Sequence, residues 1–200
     1  MNLLEYDALH GGRMKKLNGI EALAILFRVP LPDPQVTDFF ELVRNGTPQT
    51  IQTAIDQGAQ VNTNSKHGWT PLMHAVACKT NPEVVAILVS AVADVSARGS
   101  NGLTALMLAA SANQNPEVIT ELLKARADIN AQDREGWTRL MFAAANNPNP
   151  GVITTLLEAG TDGRVKDRKG MTAYDYAQIN EQLTGTDAYW KLRDVEETEN

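Results

Sequence analysis

The side chains best suited to chemistry are three histidines, His10, His67 and His74, and a single cysteine, Cys78. His74 and Cys78 are four residues apart, a spacing that places two zinc ligands on one face of a helix. A zinc site needs two more ligands, and nothing supplies them at a recognisable spacing. His67 is expected at the tip of a turn, in contact with solvent or a partner. We therefore expect no metal site.

The short motifs of common catalytic sites are also missing from the sequence. It contains no Gly-x-Ser-x-Gly, no Walker loop and no dinucleotide-binding glycine pattern. Asp and Glu are scattered over expected helix starts and turn tips, where capping and solvation account for them. A single cysteine cannot form an internal disulfide. We expect a protein that is not an enzyme and has no cofactor.

The composition is typical of a soluble globular chain with an acidic balance. The 200 residues include 43% hydrophobic ones, enough for one domain or a short solenoid, and the net charge is −6. This balance argues against sequence-independent binding of nucleic acid, which needs a basic face for phosphates. No apolar run approaches the roughly 18 residues that span a bilayer. These features predict a cytoplasmic protein that binds neither nucleic acid nor membrane.

Residues 1–37 differ from the rest and form a leader. Met14-Lys15-Lys16 gives a basic start before an apolar stretch at 19–29, which is the outline of a signal peptide. Glu21 and Arg28 interrupt that stretch, and no small-x-small cleavage site follows before Pro30. An amphipathic helix is therefore favoured, with an export signal and a loose leader as alternatives. The prolines at 30, 32 and 34 predict a stiff, non-helical connector.

The organising feature of the remaining chain is an internal repeat of 34 residues. A fixed period in this range marks a solenoid, in which each unit contacts mainly its neighbours. The recurring residues are Gly68, Gly102, Gly136 and Gly170, the Thr two positions after each, and the Asn-Pro pairs at 81–82, 115–116 and 149–150.

Each unit is predicted to be two antiparallel helices. The Thr after the turn glycine caps a short, alanine-rich first helix, as at 70–77. The Asn caps a second helix that has Pro at its first position. The apolar stripe of that helix, such as Val118-Ile119-Leu122-Leu123, can be buried only by stacking on other units. Met73, Met107 and Met141 share one register and are expected in the core.

At this point the sequence resembles the ankyrin repeat family. Thr70-Pro71-Leu72-Met73-His74-Ala75 is similar to the family's T-P-L-H-x-A motif, with Met at the usual His position. Asn81-Pro82-Glu83-Val84-Val85 resembles its second helix, and Gly58-Ala59-Gln60-Val61-Asn62 resembles its turn. The period is one residue longer than the usual 33, as in variants with Asn-Pro at the second helix. The resemblance implies an all-α solenoid of stacked antiparallel helix pairs joined by β-turn loops.

The repeat domain is expected to span residues 38–193 in about five units, of which the first and last are divergent caps. The first helix of the first unit is predicted at 38–44, with Asp38 and Glu41 at capping-box spacing. The second helix of the last unit is predicted at about 187–192, and residues 194–200 form an acidic tail.

Two departures from the family pattern concern the turns. The position after the second helix is Gly58, Val92, Arg126 and Gly160 in successive units. Glycine there adopts positive φ, which is costly for Val92, so this turn is either built differently or strained by about 1–3 kcal/mol. The family's turn Asn, which bridges successive turns, is present at Asn62 and Asn130 and replaced by Ser96 and Arg164.

The resemblance implies that a partner protein meets the turn tips and the exposed side of the first helices. Carried over by position, the candidate binding residues are Lys66, His67 and Trp69; Ser100, Asn101 and Leu103; Arg134, Glu135 and Trp137; and Arg168, Lys169 and Met171. Trp and Arg often anchor interfaces. However, Trp69, Leu103, Trp137 and Met171 share one register, so packing on the preceding turn is the favoured alternative for these four.

The expected function is that of a monomeric, non-catalytic scaffold or adaptor that binds another protein. The alternative is a regulatory or inhibitory subunit of an enzyme complex, which could be exported. Residues 161–170 carry a net charge of +2 and residues 187–200 a net charge of −3. This basic rim could favour an acidic patch on the partner, or the tail could fold over it.

Overall fold

A computed structural model of the chain describes residues 39–78 and 81–197. The predictions for residues 1–37 and for Asp38 lie outside these residues. The described part contains ten α-helices and no strand. They are α1 Phe39–Asn45, α2 Pro48–Asp56, α3 Pro71–Ala77, α4 Pro82–Ser90, α5 Ala105–Ala112, α6 Pro116–Lys124, α7 Arg139–Asn146, α8 Pro150–Glu158, α9 Ala173–Gln178 and α10 Asp187–Glu197. None of these helices is both long and apolar enough to cross a membrane.

Helices α2 to α9 begin where the sequence predicts, because a polar side chain caps each of these eight. The side chain of Thr70 accepts a hydrogen bond from the backbone N–H of Met73 at 3.3 Å, and Thr104, Thr138 and Thr172 repeat this arrangement. Asn81 accepts a hydrogen bond from the N–H of Glu83 at 3.0 Å, and Pro82 occupies the first helical position. Each cap satisfies an N–H group that lacks a partner within the helix.

The helices form two layers. The first helices, α1, α3, α5, α7 and α9, contact one another in order, and the second helices, α2, α4, α6, α8 and α10, do the same. The hydrophobic core fills the space between the layers. Leu88, Leu122 and Leu156 of the second helices are fully buried there. Met73 and Met141 are also fully buried and Met107 is 1% exposed, so the core position predicted for the methionines is confirmed.

Each turn that follows a second helix has the same backbone, whether or not it contains glycine. Gly58 and Gly160 have φ values of 96° and 83°, while Val92 and Arg126 have values of 63° and 62°. The turn at Val92 is therefore not built differently from the glycine turns, and Val92 adopts the strained positive φ. The side chain of Val92 is 79% exposed, so no packing compensates locally for a strain of about 1–3 kcal/mol.

Asparagine side chains join neighbouring units. Asn62 bridges two turns as expected, since its Nδ2 donates to the carbonyl of Val92 at 2.9 Å and its Oδ1 accepts from the N–H of Asp94 at 2.8 Å. At Asn130 the hydrogen bond is local, from its own N–H to Asp128. The bridge expected from the family motif is therefore confirmed at Asn62 and wrong at Asn130.

A second set of asparagines joins the ends of first helices and was not predicted; Asn113 and Asn147 are buried and Asn180 is half-buried. Asn113 Nδ2 donates to the carbonyl of Val76 at 3.1 Å, and Asn147 Nδ2 donates to that of Ala110 at 2.8 Å. Asn180 repeats the contact one unit later. The acceptors lie in the last turn of a first helix, where carbonyls lack partners within the helix. These side chains therefore link α3, α5 and α7 to the next unit.

The final helix is longer than predicted. It runs to Glu197, five residues past the expected end at 192, so residues 194–197 belong to α10. Leu192 is 2% exposed, and Glu196 accepts a hydrogen bond from the hydroxyl of Thr172 at 3.1 Å. These contacts hold α10 against the last unit. Val195 of this helix lies against the turn at 161–170, since a Cβ atom at Gly163 would be 2.9 Å from its side chain.

Candidate functional site

The turn tips stack directly on one another along one side of the molecule. Gly136 has a φ of 83°, and a Cβ atom there would lie 3.3 Å from both the backbone nitrogen of Arg168 and the Cα of Asp167. At Gly102 a Cβ would lie 3.3 Å from the nitrogen of Arg134. Glycine is therefore required by the turn conformation and by the approach of the next tip.

Hydrogen bonds between tips fix this row. The N–H of Arg168 donates to the carbonyl of Glu135 at 3.1 Å. The hydroxyl of Ser100 donates to the carbonyl of His67 at 2.9 Å. The polar candidate residues all lie exposed along the row: Lys66, His67, Ser100, Asn101, Arg134, Glu135, Arg168 and Lys169. The structure thus brings these eight residues together on one surface, here called the tip row.

The four apolar candidates at the tips are half-buried and pack on the protein. Trp69 lies close to Gly99 of the following turn, where an added Cβ would be 3.0 Å from its ring. The ring of Trp137 lies 4.4 Å from that of Tyr176, also in the following unit, measured between centroids. Leu103 and Met171 pack against the same core. These contacts support packing for the four residues, and the two tryptophans contact the following unit rather than the preceding one.

A column of larger side chains on the first helices lies behind the tip row and was missed in the sequence. Its members recur at the 34-residue period: Phe40, His74, Leu108, Phe142 and Tyr176. The His74 ring lies 5.0 Å from Phe40 and 5.3 Å from Trp69, and Phe142 lies 5.0 Å from Trp137. The repeat period was the signal that could have identified this column.

His74 therefore lies among aromatic rings. Within residues 39–78 and 81–197, no group of three or more His, Cys, Asp or Glu side chains is arranged to hold a metal ion.

Two shallow grooves open between successive tips. The first, of about 440 Å³, is lined by Lys66, His67, Trp69, His74, Ser100 and Asn101. The second, of about 290 Å³, is lined by Gln132, Asp133, Arg134, Gly136, Lys166, Asp167 and Arg168. Gln132 and Lys166 were not among the predicted site residues, because they precede the tip motif and only the stacking of turns places them in the groove.

The acidic side chains of the second groove hold the turns together. Asp133 accepts hydrogen bonds from the N–H groups of Glu135 and Trp137 at 2.9 and 2.8 Å. Asp167 accepts one from the hydroxyl of Tyr176 at 2.6 Å and two from backbone N–H groups at 2.8 and 2.9 Å. Burial alone would raise the pKa of Asp167, but these hydrogen bonds hold the pKa below its ordinary value. Burial, and then the contact with Asp167, raises the pKa of Tyr176 to about 12.

Comparison with known proteins identifies the repeat. No curated protein is significantly similar in sequence to the chain. A family model described as "Ankyrin repeats (3 copies)" matches residues 39–133 and 106–187, which together make up more than half of the 200 residues. The matched region holds the capped helix pairs and all the stacked tips described above, and on this basis the chain belongs to the ankyrin repeat family.

Proposed function

We propose that the protein is a non-catalytic scaffold or adaptor that binds another protein along the tip row and the adjoining face of the first helices. Ankyrin repeats generally serve as protein–protein interaction modules. The observation that carries the proposal is the row of eight exposed polar side chains on a backbone held by bonds from one tip to the next. A preorganised surface loses little conformational entropy on binding.

The half-buried aromatic residues support the same surface. Trp69 and Trp137 contribute an apolar floor behind the exposed Lys66 and Arg134. Aromatic rings in such a position offer a partner contact area without a further loss of side-chain freedom, because their conformations are already restricted by packing. In this proposal, the eight polar residues make the polar contacts with the partner, the four apolar ones position them, and the two tryptophans add apolar contact area.

The test compares charge reversal on two faces of the solenoid. One variant carries Arg134→Glu and Arg168→Glu in the tip row. The other carries Glu121→Lys and Glu158→Lys on the second helices, where these residues pair with Lys124 and Lys191 at the surface. Exposed pairs of this kind contribute at most about 1 kcal/mol each, so both variants should fold. Circular dichroism melting curves would check this.

Partner capture from a lysate of the source cells would be measured for both variants at matched salt, because exposed charges are screened. We expect the tip variant to lose captured proteins that the wild type and the second-helix variant retain. A single stoichiometric partner would favour a subunit of a complex, and several weak ones would favour a scaffold. Loss by the second-helix variant alone would place binding on the opposite face and refute the proposal.

A further inference from the structure

The groove of about 290 Å³ between the third and fourth turn tips has an unbalanced charge. We call it the basic groove and define it by its three cations, Arg134, Lys166 and Arg168. All three are exposed. In the part of the chain that the structure describes, no carboxylate lies within 4.0 Å of any of their charged nitrogens.

The two carboxylates in the groove lining cannot easily neutralise these cations. Asp133 already accepts two backbone hydrogen bonds, and Asp167 accepts two backbone hydrogen bonds and one from Tyr176. Turning either carboxylate toward a cation would break the bonds that shape its turn. The remaining acidic neighbour is Glu135, which is exposed at the tip. The positive charge is therefore available to a ligand.

We propose that the basic groove binds an acidic segment of the partner protein, with Asp or Glu side chains that pair with these cations. The inference rests on the proposed function and specifies the chemistry of the partner. Guanidinium groups such as those of Arg134 and Arg168 are suited to carboxylates, because they can donate two parallel hydrogen bonds. The site is a local basic patch on a chain whose net charge is −6.

The stacking of the tips also indicates how the segment is arranged. Packed helices lie about 8–10 Å apart, so successive tips are separated by a similar distance. An extended polyproline II segment advances about 3.1 Å per residue and repeats every three residues. A carboxylate at every third position would therefore meet successive tips.

A protein segment is favoured over a nucleic acid by the overall charge. Nucleic acids bind through many phosphate contacts on an extended basic face. Here the cations lie in a single groove beside Glu135, and the net charge of −6 opposes the approach of a long polyanion.

The experiment measures binding of a defined probe to the full chain by fluorescence anisotropy. The probe is a fluorescein-labelled peptide with Glu at every third position and Gly or Ser elsewhere, and its control has Gln in place of Glu. The test variant carries Arg134→Gln, Lys166→Gln and Arg168→Gln. The matched control variant carries Lys124→Gln, Arg126→Gln and Lys191→Gln, which remove the same charge from exposed sites outside the tip row.

We expect saturable binding of the Glu peptide that weakens as salt rises from about 50 to about 300 mM. The test variant should bind about tenfold more weakly, because each exposed pair contributes a factor of about two to three. The matched control variant should bind within about twofold of the wild type. Melting curves of both variants would verify that they are folded.

Three results would overturn the inference: no saturable binding, equal weakening in both variants, or tighter binding of a single-stranded oligonucleotide than of the Glu peptide. These results can be separated from failure of the proposed function. If the Glu peptide does not bind but Arg134→Glu with Arg168→Glu still abolishes partner capture, the acidic-segment inference fails and the proposed function stands.

Discussion

Arg139 is a buried cation in the middle of the solenoid, and its replacement tests how the core is stabilised. It is the first residue of α7 and is 2% exposed, while the same position in other units is Pro71, Ala105 or Ala173. One guanidinium nitrogen donates to the hydroxyl of Thr161 at 2.8 Å, and Nε has no hydrogen-bond partner among the described residues. Burial lowers the pKa of Arg139 to about 10, with a partly compensating attraction from the charge of Asp128.

Replacement of Arg139 by Met keeps a long side chain in the core and removes the charge and its donors. An unsatisfied buried donor costs about 1–3 kcal/mol. The replacement also removes the bond to Thr161, which contributes about 1 kcal/mol. Buried charged groups replaced by apolar residues of similar volume often give neutral or more stable proteins. We therefore expect Arg139→Met to raise the free energy of unfolding by about 1 kcal/mol, within a range of about 0–2.

Urea denaturation followed by circular dichroism would measure this change, provided that the slope of the transition is the same in both proteins. Arg139→Ala is the control, because it removes the same charge but also deletes buried stem atoms. It should be less stable than Arg139→Met by about 1–2 kcal/mol. If Arg139→Met were instead less stable than the wild type by more than about 1 kcal/mol, the buried guanidinium would be a net stabilising group and the reasoning would be refuted.

Four further predictions test other features of the solenoid. Val92→Gly should stabilise the protein by about 0.5–1 kcal/mol by relieving positive φ, and a lower melting temperature would contradict the strain. Leu122→Ala, at a fully buried position in the centre of the stack, should cost about 2–5 kcal/mol. Ile55→Ala should cost about 1–2 kcal/mol, because Ile55 is half-buried in the first unit. Equal shifts in denaturant midpoint would contradict nearest-neighbour stacking. Asn147→Ala should cost about 2–3 kcal/mol, because it leaves the buried carbonyls of Ala110 and Asn113 without their donor. A loss below about 0.5 kcal/mol in urea denaturation would show that these two hydrogen bonds do not stabilise the stack. Since the pKa of Asp167 is held below its ordinary value, its ionised form stabilises the protein above about pH 4, and this contribution is lost as pH falls through the folded-state pKa. The stability difference between wild type and Asp167→Asn should therefore shrink in acid, and a constant difference in pH-dependent melting would contradict it.

Much of the fold follows from the sequence because its determinants are local and repeated. Thr70 and Asn81 cap helices through bonds that span two or three residues, so their types and positions suffice to place the helix starts. The burial of the apolar stripe around Leu122 can be predicted without identifying a distant partner, because the neighbouring unit carries the same stripe. The family, the two-helix unit and the positions of the tips were predictable for this reason.

Most contacts between units were decided only by the tertiary structure, although the bridge made by Asn62 was expected from the family motif. Whether Trp137 faces solvent or packs depends on Tyr176, which is 39 positions later in the chain. The carboxylate of Asp167 is satisfied by the turn and by Tyr176, so the charge of the basic groove cannot be obtained by counting acidic and basic residues. The sequence by itself determined the repeating unit, since short-range hydrogen bonds and hydrophobic periodicity specify it. The tertiary structure decided which side chains remain available to a partner, because availability depends on groups that only stacking brings together.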